Sequence, residues 1–425
     1  MRTLRRGSEG PAVQLLQLAL RRSGGEGLET DGRFGPATDA ALRRFQAKNG
    51  LVADGVAGTN THRALQPWYT GYRTHTIRSG DTLWSLARRY GTALPAIETA
   101  NPGLEAENLP VGAQLVVPLS FPVVPTTIDW CSDLVALCAQ GLAARYPFLA
   151  VNELGRSAMG KPIWTLRLGG GANRVLYNAE HHANEWLTTP LLLRFAETLC
   201  AAVAGGGSLG GMNAAELLYG TELVLVPAVN PDGLDLVTGE LRQGGWYEQA
   251  RRIAARWPAI PFPAGWKANL QGVDLNLQYP AGWEQARDNK FAQGVRAPAP
   301  ADYVGAAPLT AAESRALYEF TLAYAPSLTL SYHSQGEVIY WKYLDYAPPE
   351  SEAIVRRFAA VSGYAAEDTP YAAGFAGYKD FFLQDFRRPG FTVEVGRGVN
   401  PLPPTDFEAI WRANLGILTL GLTAT

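Results

Sequence analysis

A chain of 425 residues is too long for one ordinary core and suggests two to four domains. With 47% hydrophobic and 10% aromatic residues it can bury a sizeable interior, which excludes global disorder. Thirty-seven Lys and Arg against 39 Asp and Glu, a formal charge of −2, exclude the bulk-charge footprint of a nucleic-acid binder or a polybasic membrane anchor.

No stretch approaches the ~18 apolar residues of a membrane span, and Met1 to Gly10 holds no apolar run of the secretory kind. The expectation is a soluble chain that touches neither nucleic acid nor membrane and shows no leader. Cys131, Cys138 and Cys200 are odd in number and lack CxxC spacing, which argues against a disulfide framework or a thiolate zinc site. Histidine is scarce: His62, His75, His181, His182 and His333. Any metal site must draw on those five.

Residues 4 to 65 read as helices joined by Gly-rich turns, with Val13, Leu16 and Leu20 on one face and Leu42 and Phe45 on another. The segment repeats itself: Asp31-Gly-Arg-Phe-Gly-Pro-Ala-Thr38 and Asp54-Gly-Val-Ala-Gly-Thr-Asn-Thr61 place Asp, Gly, Gly and Thr at one spacing. Each Asp-Gly predicts a turn, and each Thr is placed to start a helix. Together with Phe45-Gln46, this pattern resembles the small helical peptidoglycan-binding domain over residues 1–66.

Beyond Gln66-Pro67, Tyr72 to Arg78 predicts a short strand. Ser79-Gly80-Asp81 is a turn before a helix whose apolar residues are Leu83, Leu86, Ala87 and Tyr90, at i, i+3, i+4 and i+7. A second short helix, Leu94 to Ala100, stops at Asn101-Pro102, and Gln114 to Val117 returns as a strand. This βααβ order with its SGDTLWSLA core is similar to the LysM module, over residues 72–118. The family binds N-acetylglucosamine-containing glycans, so the resemblance implies peptidoglycan as partner. Residues 119–127, with Pro122 and Pro125, read as a stiff linker into a C-terminal domain, 128–425.

In that domain the apolar strand Val175 to Glu180 runs into His181-His182-Ala183-Asn184-Glu185, and Thr188-Thr189-Pro190 opens a helix. In open α/β sheets ligands collect where strands end. An imidazole and a carboxylate three positions apart in a tight turn suit Zn²⁺, although a lone HxxE also fits ordinary strand-end hydrogen bonding. A catalytic zinc needs a third protein ligand. Outside the two N-terminal modules and the His181-His182 pair the remaining histidine is His333, which ends the alternating strand Leu328 to Tyr332.

From about residue 127 onward the chain resembles the zinc metallocarboxypeptidase family, AEHHANEW matching its HxxE motif and LSYHSQGEVIY its later His-Ser segment. The resemblance implies a carboxypeptidase-like α/β fold, with a mixed, mostly parallel twisted sheet flanked by helices. It also implies one zinc ion held by His182, Glu185 and His333, with His181 on a non-ligand position. Glu394, in the strand Phe391-Thr-Val-Glu, falls on the general base that deprotonates the nucleophilic water. A carboxylate in a β-branched strand is otherwise costly to bury without a salt bridge. In Val273-Asp274-Leu275-Asn276-Leu277, Asp274 takes the place of the carboxylate that orients His182, and Asn276 that of a substrate-carboxylate contact. Trp266-Lys267 resembles the family's Trp-Arg, so Lys267 stands for the carbonyl-polarising cation. Tyr371 falls near the mobile substrate-covering Tyr, with Tyr378 as rival. Lys379, Arg397 and Ser334 are expected substrate contacts.

At Leu277 the family's forked Arg, which clamps a peptide's C-terminal carboxylate, is missing. Leucine makes no charge-assisted bond, so ordinary C-terminal recognition is expected to be lost. With the wall modules, this resembles the γ-D-glutamyl-L-diamino acid endopeptidases, which cut peptidoglycan stem peptides between D-glutamate and meso-diaminopimelate or lysine. Two rivals remain: a DL- or LD-carboxypeptidase on murein peptides, and a non-catalytic wall-binding protein. The implied location is the cell wall or a spore. Without a visible leader the cytoplasm stays open, and the sequence is silent on oligomeric state.

Overall fold

Two buried glutamines explain the N-terminal repeat. In the computed structural model, which describes residues 1–371 and 374–424, helices α1 (Pro11–Arg22), α2 (Pro36–Lys48) and α3 (Thr59–Thr70) pack together. The Gln17 amide nitrogen donates to Asp31 Oδ1 (2.8 Å), the Arg33 carbonyl (3.1 Å) and Thr38 Oγ1 (3.0 Å). Its oxygen accepts from the Gly32 N–H at 2.9 Å. Gln46 does the same with Asp54, Val56, Thr61 and Gly55. Gly32 and Gly55 both adopt left-handed φ, +74° and +71°, the conformation that favours glycine. Thr38 and Thr61 therefore do not begin their helices, which start two residues earlier; their hydroxyls serve the glutamines. Gln46→Leu leaves the buried Gly55 N–H without its partner and removes one hydrogen bond each from Asp54 and Thr61, which keep their bonds to Val56. It is expected to lower stability by about 1–3 kcal/mol, read as a shift in the denaturation midpoint.

Strands β1 (Tyr72–Thr76) and β2 (Gln114–Pro118) pair antiparallel around α4 (Leu83–Tyr90) and α5 (Leu94–Ala100), giving the βααβ order. Thr82 caps α4 reciprocally: the Ser85 N–H donates to Thr82 Oγ1 (3.0 Å) and the Thr82 N–H to Ser85 Oγ (3.1 Å). Ile77, Leu83, Leu86, Ile97, Leu115 and Val117 form the core of this module.

The chain divides into two units, Met1–Ala150 and Val151–Thr425. Helix α6 (Ser132–Arg145), counted from sequence with the C-terminal domain, lies in the first. Its buried Arg145 donates to the carbonyls of Gly71, Leu119 and Phe121 at 2.6–3.0 Å. Cys131, Cys138 and Cys200 are buried, and no disulfide joins them.

In the second unit β3 (Ala150–Arg156), β4 (Pro162–Gly169), β5 (Asn173–Ala179), the hairpin β6 (Ser208–Leu209) and β7 (Met212–Asn213), and β8 (Thr221–Val226) come first. They are followed by β9 (Leu328–His333), β10 (Val338–Tyr340), β11 (Ala365–Glu367) and β12 (Gly390–Glu394). Eight of them form one sheet in the order β11-β10-β12-β9-β5-β8-β4-β3. Its centre, β12-β9-β5-β8, is parallel, whereas β10 and β4 run antiparallel to β12 and β8. Around it lie α7 (Thr188–Ala204), α8 (Ala214–Gly220), α9 (Pro231–Val237), α10 (Gly245–Ala254), α11 (Trp283–Ala292), α12 (Ala312–Tyr324), α13 (Ser351–Ser362), α14 (Tyr378–Phe386) and α15 (Phe407–Leu420). The sheet is thus mixed and mostly parallel at its core, as the sequence predicts. From β5 the chain crosses through α7 to β8 on one side, while β9 lies on the other. That reversal opens a crevice at the carboxyl ends of the central strands. No helix among the described residues is long and apolar enough to cross a membrane.

Candidate active site

Strand register delivers the chemistry to that crevice. Glu394 and His333 are paired across β12 and β9, and Ala179 and Tyr332 across β5 and β9. Beyond β5 the backbone turns at Glu180, φ 58°, into a short 3₁₀ turn, Ala183–Glu185. Asn230 fixes this turn by donating from its amide to the His181 carbonyl (3.2 Å) and to the Ala268 carbonyl (3.1 Å). The NPDG segment therefore acts as a brace between the HxxE turn and the chain carrying Lys267. That chain is tied again by the Ala183 N–H to the Lys267 carbonyl at 3.0 Å.

His182, Glu185 and His333 converge, their ligand atoms lying within 4.8 Å of one another. His182 Nδ1 is 2.9 Å from Glu185 Oε1, His333 Nδ1 is 2.9 Å from Glu185 Oε2, and the two Nδ1 atoms are 3.3 Å apart. On the far side of the ring, His182 Nε2 lies 3.1 Å from Asp274 Oδ1. The Nε2–H of His182 donates to Asp274, so once Nδ1 gives up its own proton to a metal ion its lone pair faces a carboxylate oxygen and a second ring nitrogen. Lone pairs so opposed call for a cation between them. A tetrahedral site with metal–nitrogen bonds of ~2.0–2.1 Å has edges of about 3.3–3.4 Å, which the two imidazoles match. The donor set fits zinc, and Asp274 meets the outer nitrogen of one of its imidazoles.

Burial lowers the pKa of His182, but the Glu185 and Asp274 carboxylates outweigh it and hold the ring up at about 10. Burial also opposes ionisation of Glu185 and Asp274, yet the surrounding cations keep both carboxyls below their usual range. Burial depresses His333. Glu394 is pushed up to about 8, first by burial and then by the Glu185 carboxylate.

A cavity of about 490 Å³ opens beside these groups. His182, Lys267, Asp274, Asn276, Lys379 and Glu394 line it, so the structure gathers most of the expected residues. Lys267 Nζ lies 3.0 Å from Glu185 Oε1, and that carboxylate raises its pKa. Lys379 is 5% exposed and donates to the Lys342 carbonyl (2.9 Å) and Asp380 Oδ1 (2.5 Å). Leu277 also lines the wall, where the resemblance places a clamping Arg.

Three expected contacts are not brought there. Arg397 is an exposed cation whose Nε lies 2.6 Å from Glu337 Oε2. The Ser334 hydroxyl is spent on Asn400 Oδ1 at 2.8 Å, although its N–H donates to Glu185 Oε2 at 3.2 Å. The ring of Tyr371 is 66% exposed and stands edge-on to Phe375, at 5.0 Å, outside the lining. Its rival Tyr378 is fully buried, with its hydroxyl 3.0 Å from Thr321 Oγ1, so packing has removed it from contention. His181, the non-ligand histidine, is buried with Nε2 2.9 Å from the Tyr279 hydroxyl. Sequence reading missed Asp380, although it adjoins Lys379, and also Lys290 and Asp302, which belong to no motif.

A match to the zinc carboxypeptidase family covers residues 136–416. The chain belongs to this family, a family of zinc peptidases, and matches the peptidoglycan binding domain over 9–65 and LysM over 75–118. It is 42% identical over 284 residues to the gamma-D-glutamyl-L-diamino acid endopeptidase 1 of Lysinibacillus sphaericus, covering 66% of this chain and 69% of that protein. The uncharacterized protein YqgT of Bacillus subtilis is 39% identical over 276 residues, 64% of this chain and 72% of its own. In fold it resembles the carboxypeptidase A of Helicoverpa armigera, with a TM-score of 0.52, 18% identity and 80% of each chain covered.

Proposed function

We propose that this peptidase cleaves the stem peptide of peptidoglycan between γ-D-glutamate and the following diamino acid, and that His182, Glu185 and His333 hold its single zinc ion. Leu277 carries the specificity reading: an apolar wall replaces the fork that a C-terminal carboxylate would need, so the enzyme accepts a bond that is not the last in its chain. The relative's name and the two wall-binding modules support the same substrate.

Zinc at this site supplies Lewis acidity, which acidifies water and polarises a carbonyl. Glu394, which burial and the Glu185 carboxylate make a stronger base than an ordinary carboxylate, takes the proton of the attacking water and returns it to the departing amine. Lys267 offers its ammonium to the oxygen on which charge develops. Asp274 fixes the His182 ring, and Asn276 and Lys379 contact substrate groups. Tyr371 covers the bound peptide only if its exposed ring swings inward. The wall modules raise the local concentration of stem peptides, placing the enzyme's work at the cell wall.

Mass spectrometry of digested sacculi tests this. Expected products are fragments severed between D-glutamate and the diamino residue, abolished by a chelator. Release of single terminal amino acids alone would instead establish the carboxypeptidase alternative.

A further inference from the structure

The cations that line the cavity each stand beside a carboxylate. Lys267 is paired with Glu185, Lys379 with Asp380, and Lys290 with Asp302, whose Oδ1 lies 2.6 Å from the Lys290 Nζ. The first pair belongs to the reaction centre, whereas the third has no part in it. Lys290 comes from α11 and is only 15% exposed at its side chain; Asp302 comes from a separate loop and is 48% exposed. Both line the cavity.

The loop carrying Asp302 is fixed with unusual care. Asp302 has a left-handed φ of 67°, a conformation a residue with a Cβ ordinarily avoids. Its N–H donates to Asp274 Oδ2 at 3.2 Å, and the other oxygen of Asp274 meets His182 Nε2. Two residues earlier, the Pro300 carbonyl accepts from the N–H groups of Lys267 and Ala268 at 2.8 and 2.9 Å. One carboxylate thus connects the Lys290–Asp302 pair to the metal ligands, holding the pair in register with the reaction centre.

We infer that the Lys290–Asp302 pair recognises a substrate side chain ending in a zwitterion, an ammonium and a carboxylate on one carbon. The inference rests on the endopeptidase reading and selects a diamino acid of the meso-diaminopimelate type over lysine. A lone ammonium entering the wall meets Lys290 and gains Asp302 only by displacing it. A lone carboxylate has the reverse conflict. A zwitterion satisfies both partners at once: its carboxylate receives from Lys290 and its ammonium donates to Asp302, replacing one ion pair by two charge-assisted contacts.

The test uses the full chain and three synthetic peptides, L-Ala-γ-D-Glu joined to meso-diaminopimelate, to lysine, or to meso-diaminopimelate amidated on its distal carboxyl. The expected kcat/KM for the first is at least tenfold above each of the others. Lys290→Met and, separately, Asp302→Asn bring those ratios to within threefold of one. Equal cleavage of all three by the parent enzyme leaves the endopeptidase reading standing and overturns this inference alone. Variants that slow all three peptides equally also overturn it. Cleavage of none overturns the endopeptidase reading and this inference with it. The parent comparison needs no variant to fold.

Discussion

Glu394→Gln is expected to lower kcat for the proposed stem-peptide cleavage by roughly 10²–10⁴-fold while zinc content stays at one ion per chain. The substitution keeps the shape of the side chain and removes its capacity to accept a proton. The other carboxylates lining the cavity are already engaged: Asp274 by His182 and the Asp302 N–H, Asp302 by Lys290, and Asp380 by Lys379 and the Gly377 N–H. What acts on Glu394 is burial and the charges of Glu185, Lys267 and His182, with no hydrogen bond from any of the described residues. None of the others can replace it without breaking a bond it already makes. Single-turnover analysis of a purified muropeptide, with metal content measured on the same sample, checks this. A variant retaining a tenth or more of the parent rate removes Glu394 from the role.

His333→Ala is expected to abolish both activity and stoichiometric zinc. It deletes one of the three proposed ligands, so the expected affinity loss exceeds the ~10–100-fold typical of losing a partner outside the ligand set. Asp274→Asn is expected to show that smaller loss. Because metal binding to the folded state stabilises it, the parent protein at free zinc about 100 times its Kd is expected to gain ~2.7 kcal/mol over chelated protein. His333→Ala is expected to melt at the same temperature with and without chelator. A zinc-dependent melting shift that survived the substitution would place the metal elsewhere.

The cluster of His182, Glu185 and His333 was legible in the sequence because so few histidines were available and because the motif residues follow strand ends, which apolar runs reveal. Asp274 and Lys267 were legible only through neighbouring motif residues, Val273 and Trp266. The sequence could not place side chains where tertiary packing decides. Arg397 and Lys379 read alike as spare cations, but Glu337 meets one at the surface and Asp380 holds the other inside. Tyr371 and Tyr378 differ by burial alone, which no local pattern encodes. The Asp-Gly repeat was visible at an offset of 23 residues, yet Gln17 and Gln46, which organise it, lie 29 apart, so Gln46 was legible only as part of a motif and Gln17 not at all. Lys290 and Asp302 meet across separate elements, so spacing carried no signal.

The clasp made by Arg145 has a consequence for the chain on either side of the LysM module. Gly71 and Leu119, the residues flanking it, are hydrogen-bonded to each other, the Leu119 N–H donating to the Gly71 carbonyl at 2.8 Å, and both carbonyls accept from the same guanidinium. The module's two ends thus leave the helical framework at adjacent points, as an exchangeable cassette would. A different glycan reader whose termini lie equally close together can be grafted between these residues, redirecting the enzyme to another wall polymer without disturbing α3 or α6.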